Sequence, residues 1–371
     1  MARKTSTSLE QIKEAVKTYV TLNKISNTTY EVTRDNTLGL IDKIGKQIIL
    51  EHAFVDKLSD FEGEMLNLGK DIEEGSIPQL VPDEDYDADG AVGVPNTLVY
   101  MKPSYSKTLP RRKFQVTIYN NDIERASLDE SFFAKTVAEK ANDLVKSEKV
   151  WRYAVKRQTL GDMMSLIDTE MAPTTTFAKA STYTIGSLVK DSSGTAAIFV
   201  KDYTANAAND FDDAIKKGYL VKLELTSTIA KPTDTASGEA FIEEVMKVVE
   251  IANDNSEHSL NGGAIGAEEG LILFIPQGII PPLKVKTYSG AFHREDLEMD
   301  VELRVIKDFG SYSGKGYALL MDKRAMRLFN NYHANREDAN GNADCAVMYA
   351  HTQDTAWFSR NAFVHMFKVG D

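Results

Sequence analysis

The chain has 371 residues, 42% of them hydrophobic and 26% charged, and these proportions are those of an ordinary globular protein of two or three domains. Its net charge of −12 argues against a protein whose main task is to grip nucleic acid, because that binding needs clustered Lys and Arg. We expect no membrane span and no signal peptide, because no long apolar run is present, and the single cysteine, Cys345, excludes an intrachain disulfide.

Most of the negative charge lies in one segment. Residues 59–90 hold eleven acids and a single base, Lys70, so ten of the twelve net negative charges come from there. The next charged segment, residues 102–113, carries five bases and no acid. Gly and Pro interrupt both segments. The pattern indicates an acidic segment, 59–90, followed by a basic segment, 102–113.

The N-terminal third has little regular patterning. Residues 1–37 are polar and rich in Thr and Asn, which favours an N-terminal arm. Apolar residues recur with a largely helical spacing over 38–61, which predicts a short helix weakened by Gly45. Residues 62–112 hold no sustained helical period, and a structureless segment of that length is uncommon inside a compact domain. We therefore expect a long β-hairpin that projects from the body.

The longest helical pattern follows this segment. Ser127 and Glu130 have the spacing of a capping box, and Gly161 offers a C-terminal stop. The apolar stripe between them consists of Phe133, Val137, Ala141, Leu144, Trp151 and Val155. The spacing predicts one helix over 127–160, roughly 50 Å long, that serves as a spine.

The rest of the chain mixes helix and strand. In the middle segment the predicted strands are 196–200, 220–225 and 271–275, and the predicted helices are 210–217 and 240–251. The C-terminal prediction is strands at 297–306 and 317–321, a helix that Asp322 caps and that runs through Phe329, and closing strands at 343–349 and 357–369.

One acidic motif suggests a metal site. Asp85, Asp87 and Asp89, followed by Gly90, have the spacing of the first half of a calcium loop. The second half is missing, because the twelfth position is Asn96 in place of a bidentate glutamate. We favour an acidic loop tip, or one side of an ion-pair patch between subunits, and keep calcium as the alternative.

Other catalytic patterns are incomplete. Gly314 and Lys315 lack the spacing of a phosphate-binding loop and the Ser or Thr that should follow the lysine. The zinc-deaminase pattern at His293 and Glu295 fails, because the chain has no cysteine pair. We therefore expect no catalytic residue and no cofactor apart from the calcium alternative.

The bases Arg111, Arg112 and Lys113 allow two interpretations. They form a docking patch for an acidic surface of a neighbouring copy, or they are the solvated start of a strand. Exposed ion pairs are individually weak, but networks between subunits can fix a register. Both interpretations stay open. In the acidic segment the expected intersubunit residues are Asp71, Glu73 and Glu74.

The order of these elements resembles the major capsid proteins of tailed bacteriophages, whose architecture, the Johnson fold, also builds encapsulin and herpesvirus shells. The resemblance rests on the arm, short helix, charged hairpin, capped long helix, variable middle and the returning segment that begins Tyr317-Ala-Leu-Leu-Met-Asp-Lys. It covers most of the chain, although no short diagnostic motif supports it.

The resemblance implies an α+β fold with an N-terminal arm, an extended β-hairpin loop, a peripheral domain built on the spine helix, and an axial domain with room for an inserted subdomain. Carried over to this chain, the intersubunit loop is 62–112, the peripheral domain is 113–164 with 291–371, and the axial domain is 165–290.

The function that the resemblance implies is structural, without catalysis. The chain would self-assemble into pentamers and hexamers of an icosahedral head around double-stranded DNA, which it would not bind sequence-specifically. Implied partners are other copies, a portal, scaffolding proteins and head-completion proteins, and the implied location is the virion capsid, assembled in the host cytoplasm. The rival hypotheses are an encapsulin-like compartment, and a calcium-dependent binding protein or enzyme centred on Asp85, Asp87 and Asp89.

Overall fold

A computed structural model describes part of the chain. The described residues are 54–66, 72, 105–119, 130–206, 210–252, 255–256, 259–260, 264–265, 270–279, 301–340 and 345–370. The predicted arm, most of the predicted helix 38–61 and most of the predicted loop 62–112 lie outside them. The end of that helix which is described, from Phe54 on, holds only a 3-10 turn at Ser59–Phe61.

The described residues fall into two compact units. The first is drawn from the ranges 1–69, 108–155 and 329–355, and the second from 70–107, 156–328 and 356–371. The helices are α1 (Glu130–Glu170), α2 (Phe211–Lys216) and α3 (Thr235–Ala252). The strands are β1 (Glu62–Met65), β2 (Tyr105–Thr108), β3 (Arg112–Tyr119), β4 (Thr182–Tyr183), β5 (Leu188–Lys190), β6 (Ala196–Phe199), β7 (Tyr203–Thr204), β8 (Leu220–Lys222), β9 (Thr226–Thr228), β10 (Asn255–Ser256), β11 (Ala264–Ile265), β12 (Leu271–Pro276), β13 (Val301–Ile306), β14 (Gly316–Asp322), β15 (Met326–Asn340), β16 (Cys345–Phe358) and β17 (Val364–Lys368).

Helix α1 confirms the predicted long helix but ends later than expected. Its 41 residues correspond to a length of about 60 Å at 1.5 Å per residue. The predicted stop at Gly161 is wrong, because the helix continues to Glu170. A β-carbon at position 161 would lie 2.1 Å from the backbone oxygen of Phe309. This glycine therefore permits a close approach inside the helix and does not end it.

The first sheet has the strand order β1-β15-β16-β2, and β3 also pairs with β16. Strands β3 and β16 are antiparallel, with Tyr119 opposite Cys345 and Arg112 opposite Thr352. The two ends of the predicted hairpin, β1 and β2, are separated in this sheet by β15 and β16. In the described part of the chain these two ends therefore do not pair with each other.

The second sheet has the order β13-β12-β14-β17-β9 and contains both parallel and antiparallel pairs. Helix α3 contributes Phe241, Val245 and Val248, which share one helical face, to the hydrophobic core that this sheet forms. Each fully buried side chain of this kind stabilises the fold by roughly 2 kcal/mol. The predicted strands 271–275 and 317–321 are confirmed, and 297–306 is confirmed from Val301 on.

The helix predicted after Asp322 is wrong beyond its first turn. The Asp322 side chain does accept a hydrogen bond from the Arg324 amide at 2.8 Å, but the 3-10 turn that it caps ends at Ala325. Met326 and Leu328, two residues apart, are both buried. That period of two belongs to a strand, and β15 begins there.

A small aromatic core holds together the first part of the middle segment. Strands β5, β6 and β8 form one sheet, and β4 pairs with β7. The rings of Tyr183 and Phe199 stack at 4.5 Å between their centroids. Asp210 begins α2 with the reciprocal bonds of a capping box, which confirms the helix predicted at 210–217. The boundaries of the predicted peripheral and axial domains stay a prediction.

Candidate intersubunit surface

The structure describes three of the nine predicted site residues. Those outside the described residues are Asp71, Glu73, Glu74, Asp85, Asp87 and Asp89. Arg111, Arg112 and Lys113, which we call the basic cluster, are all exposed at the start of β3. Within the described ranges, no group of three or more His, Cys, Asp or Glu side chains could hold a metal ion.

Two neighbouring side chains orient the guanidinium group of Arg111, the first base of the cluster. The guanidinium carbon of Arg111 lies 4.4 Å from the ring centroid of Tyr332. Its Nε donates a hydrogen bond to Oε1 of Gln353 at 3.2 Å. A cation over an aromatic ring at an exposed site contributes about 0.5 to 1 kcal/mol. Arg111 is therefore oriented while its charge remains accessible.

The other two bases point away from each other. Lys113 lies with its Nζ 5.2 Å from the ring centroid of Tyr349. Successive side chains of a strand point to opposite faces, so Arg112 lies on the other face of β3 from Lys113. The basic cluster is thus two cations held over aromatic rings, with one further exposed base.

A buried ionic network lies beside the basic cluster in the same unit. Asp354, whose side chain is 0% exposed, accepts hydrogen bonds from Nε of Arg152 at 3.2 Å and from Nδ2 of Asn330 at 2.7 Å. The same arginine lies 3.6 Å from Oε1 of Glu62. Asn330 also donates to Oγ1 of Thr352 at 3.1 Å. The network joins α1 and the strands β1, β15 and β16.

Burial dominates the titration of this network. Desolvation raises the pKa of Asp354, while the charge of Arg152 and the hydrogen bonds from Asn330 and Arg152 act to lower it. A buried carboxylate without such donors would be strongly unfavourable. The ion pair is therefore needed to keep Asp354 in this position.

A histidine extends the network at its edge. Nδ1 of His333 lies 3.4 Å from Oε1 of Glu148, whose side chain is only 14% exposed. The hydrogen bond to Glu148 raises the pKa of His333, against desolvation, which lowers it. Glu148 and Arg152 lie one helical turn apart on α1, so the two charged contacts share a face of the helix.

Sequence reasoning did not identify the network. Arg152 and Asp354 are separated by 202 residues, and neither belongs to a recognisable short motif. The buried polar residues of β16 are Thr352, Asp354 and Thr355, and nothing in their local sequence indicates which side chains they meet.

Comparison with known proteins identifies the fold. A sequence model described as "Phi29-like phage major capsid protein" matches residues 2–368. The capsid structure of Staphylococcus phage Andhra is similar to this chain with a TM-score of 0.53 at 12% identity, covering 94% of this chain and 91% of that one.

Two further solved structures are similar at lower scores. The capsid of Cyanophage P-SCSP1u has a TM-score of 0.49 at 9% identity, covering 87% of this chain and 91% of that one. The mature capsid of bacteriophage PhiM1 has a TM-score of 0.45 at 8% identity, covering 86% and 89%. Among curated proteins, no match to the chain was found.

The family match and the fold together confirm the predicted capsid fold and its α+β class. They also confirm a structural role in the shell of a phage virion in place of an enzymatic one, and they support self-assembly into that shell. In the part of the chain that is described, no helix is long and apolar enough to cross a membrane. The chain belongs to the Phi29-like phage major capsid protein family.

Proposed function

We propose that this capsid subunit forms the pentamers and hexamers of an icosahedral head, and that the acidic segment 59–90 of one copy docks on the basic cluster of its neighbour. The observation that carries the proposal is the separation of charge along one chain. Ten net negative charges lie in 59–90, and Arg111, Arg112 and Lys113 in the basic segment that follows are exposed.

The basic cluster is available for a partner of opposite charge. Among the residues that the structure describes, no acid forms an ion pair with Arg111, Arg112 or Lys113, and Arg111 and Lys113 instead lie against neutral rings. A cation that faces a ring keeps most of its charge for a second partner. Held side chains also lose less conformational entropy on docking than free ones.

The number of charges favours a contact between copies. A single exposed ion pair contributes about 0 to 1 kcal/mol, but the repeated contacts of a closed shell add one such interface per subunit. Complementary charge also suppresses wrong registers. The expected acidic partners are Asp71, Glu73 and Glu74, at the start of the segment.

The buried network includes a residue at the start of the acidic segment. Glu62 of β1 lies at the beginning of the acidic segment, and Arg152 connects it to α1 and to Asp354. We propose that this network keeps the acidic segment in a fixed direction where it leaves the sheet. A segment whose first residues are already held in one conformation loses less conformational entropy when it docks than a free tail does.

The wider assembly follows from the same proposal. The shell would enclose double-stranded DNA without sequence-specific contacts, and the net charge of −12 is unsuited to a tight grip on phosphates. Assembly would take place in the host cytoplasm with a portal, scaffolding and head-completion proteins. We propose 113–164 with 291–371 as the peripheral domain and 165–290 as the axial domain.

A charge-swap experiment tests the docking. Replacing Arg111 and Lys113 by Glu should abolish shell formation or make it strongly dependent on salt, as judged by sedimentation of the expressed chain. Adding Asp71→Lys, Glu73→Lys and Glu74→Lys to the same chain should restore shells, because the two charges are then exchanged. Matched control replacements of the exposed Lys216 and Lys217 by Glu should have no effect.

Two results would count against the docking. Shell yields that stay unchanged from low to high salt in the Arg111→Glu, Lys113→Glu chain would show that the basic cluster is a solvated surface. Failure of the exchanged chain to recover, with its fold intact by circular dichroism, would show that the acids and bases do not meet.

A further inference from the structure

A buried histidine in the second unit connects a strand, a serine and a helix. His365 on β17 is 2% exposed. Its Nδ1 lies 3.1 Å from the backbone oxygen of Glu224, and its Nε2 lies 3.0 Å from Oγ of Ser227 on β9. Ser227 in turn donates a hydrogen bond to Oε1 of Glu244 on α3 at 2.6 Å.

Each of these three hydrogen bonds needs one hydrogen atom, so its donor can be assigned. A backbone carbonyl only accepts, so Nδ1 of His365 must carry a hydrogen to bond Glu224. A serine hydroxyl has one hydrogen, and that of Ser227 is given to the carboxylate of Glu244. The oxygen of Ser227 can then only accept from Nε2, which must also carry a hydrogen.

We infer that His365 is an imidazolium in the folded protein, with Glu244 as its counter-ion through Ser227. Both ring nitrogens then donate, and each contact of the array is satisfied. The Glu244 side chain is 29% exposed and lies 3.7 Å from Nζ of Lys247, so a cation lies next to the carboxylate that accepts from Ser227. Burial by itself disfavours the charged ring, and the hydrogen bonds to the Glu224 carbonyl and to Ser227, with the Glu244 carboxylate behind it, oppose that desolvation cost.

The order of these groups differs from that of a hydrolytic triad. In a triad the carboxylate holds the histidine and the histidine activates the serine, whereas here the serine lies between the other two. The array is a structural clasp. It fastens the edge strand β9, whose Thr226 pairs with Met366 of β17, to α3.

Through the clasp, the stability of the contact between β9 and α3 depends on pH. Among the described residues, the groups that face the ring include the Glu224 carbonyl, Ser227 with Glu244 and Lys247 behind it, Phe367 at 5.2 Å between ring centroids, and Leu320 opposite His365 on β14. The imidazolium stabilises the fold fully below the pH at which an unfolded histidine titrates. That contribution is lost as the pH rises and the ring gives up its proton.

Solid-state nitrogen-15 NMR with magic-angle spinning, recorded on assembled particles that contain nitrogen-15-labelled histidine, tests this inference. At pH 7.5 an isolated histidine, with a pKa of about 6.5, is roughly nine-tenths neutral. We expect the ring of His365 to remain an imidazolium, with a signal that is lost in His365→Asn and kept in Glu148→Gln, the variant that removes the acid raising the pKa of His333. Glu244→Gln should convert that ring to the neutral form, whereas Glu243→Gln, an exposed neighbour on the same helix, should leave it charged.

The two glutamate variants also identify the signal if His365→Asn fails to assemble. A neutral His365 ring at pH 7.5 in the unaltered particles would overturn the inference. An imidazolium signal that survives Glu244→Gln as well as it survives Glu243→Gln would overturn it too. Shell formation itself is not the readout, so the result is independent of the docking of the acidic segment.

Discussion

Gly161 in the C-terminal part of helix α1 lies against the backbone carbonyl of Phe309, at a distance that leaves no room for a β-carbon. Replacing a glycine by alanine inside a helix normally stabilises it by about 1 kcal/mol. Here we expect the reverse, a loss of roughly 2 kcal/mol, because the added methyl group would overpack the contact. Urea unfolding of Gly161→Ala measures the change.

An exposed position on the same helix provides the control for that experiment. Ser165→Ala removes no close contact and raises helix propensity, so its unfolding midpoint should stay the same or rise slightly. A Gly161→Ala chain as stable as Ser165→Ala would mean that the helix can move away from Phe309 without cost.

The buried carboxylate of Asp354 should be one of the most sensitive positions of the first unit. Asp354→Ala would remove the buried acceptor that Arg152 and Asn330 share, leaving them only the contacts with Glu62 and Thr352, and we expect a loss of roughly 3 kcal/mol in the free energy of unfolding. Glu62→Gln breaks the more exposed contact of the same arginine and should cost less than about 1 kcal/mol. Equal effects of the two variants would contradict the assignment of Asp354 as the centre of the network.

His333 should make the first unit more stable in mild acid. Because its pKa is raised by Glu148, the folded state binds the proton more tightly than the unfolded state does. The stabilisation is complete below about pH 6.5, the ordinary pKa of histidine, and is lost as the pH rises through the folded value. The side chain is 42% exposed, so we expect only a few tenths of a kcal/mol, about 0.3.

The difference between the unaltered chain and Glu148→Gln isolates this effect. Urea midpoints measured at pH 5.5 and pH 8.5 should show a larger penalty for the variant at the lower pH. Glu250→Gln, on the exposed face of α3, serves as the control and should lose the same amount at both. A Glu148→Gln penalty that is larger at pH 8.5 would reverse the sign and refute the pairing.

Assembly should not require calcium. The sequence motif at Asp85, Asp87 and Asp89 has Asn96 in place of the glutamate at its twelfth position, so we expect shells of equal yield with and without a chelator. Calorimetric titration of the unassembled chain with calcium should show no saturable heat. Saturable binding that disappears in Asp85→Asn, Asp87→Asn would establish the site that we consider the weaker alternative.

The sequence predicted elements best where one local signal dominates. The alternation before Ile306, the helix at 210–217 and the long helix α1 were predicted correctly, because each follows from a pattern within a short stretch of sequence. The order of these elements was also enough to indicate the capsid fold.

Prediction failed where distant residues decide the outcome. Gly161 has the local signature of a helix stop, but its role is fixed by Phe309, far along the chain. Asp322 was a correct cap for a helix that β15 replaces after one turn, because pairing with neighbouring strands outweighs local propensity. The partners of Asp354 and His365 are non-local as well, and no spacing rule connects them.

Above all, we propose that the acidic segment of one copy holds its neighbour in the shell. Negative-stain electron microscopy of the expressed chain lacking residues 71–95, beside the unaltered chain, tests it most directly. We predict large uniform particles for the unaltered chain, and soluble, folded, unassembled subunits for the deletion. Uniform particles formed by the deletion chain in undiminished yield would contradict the claim.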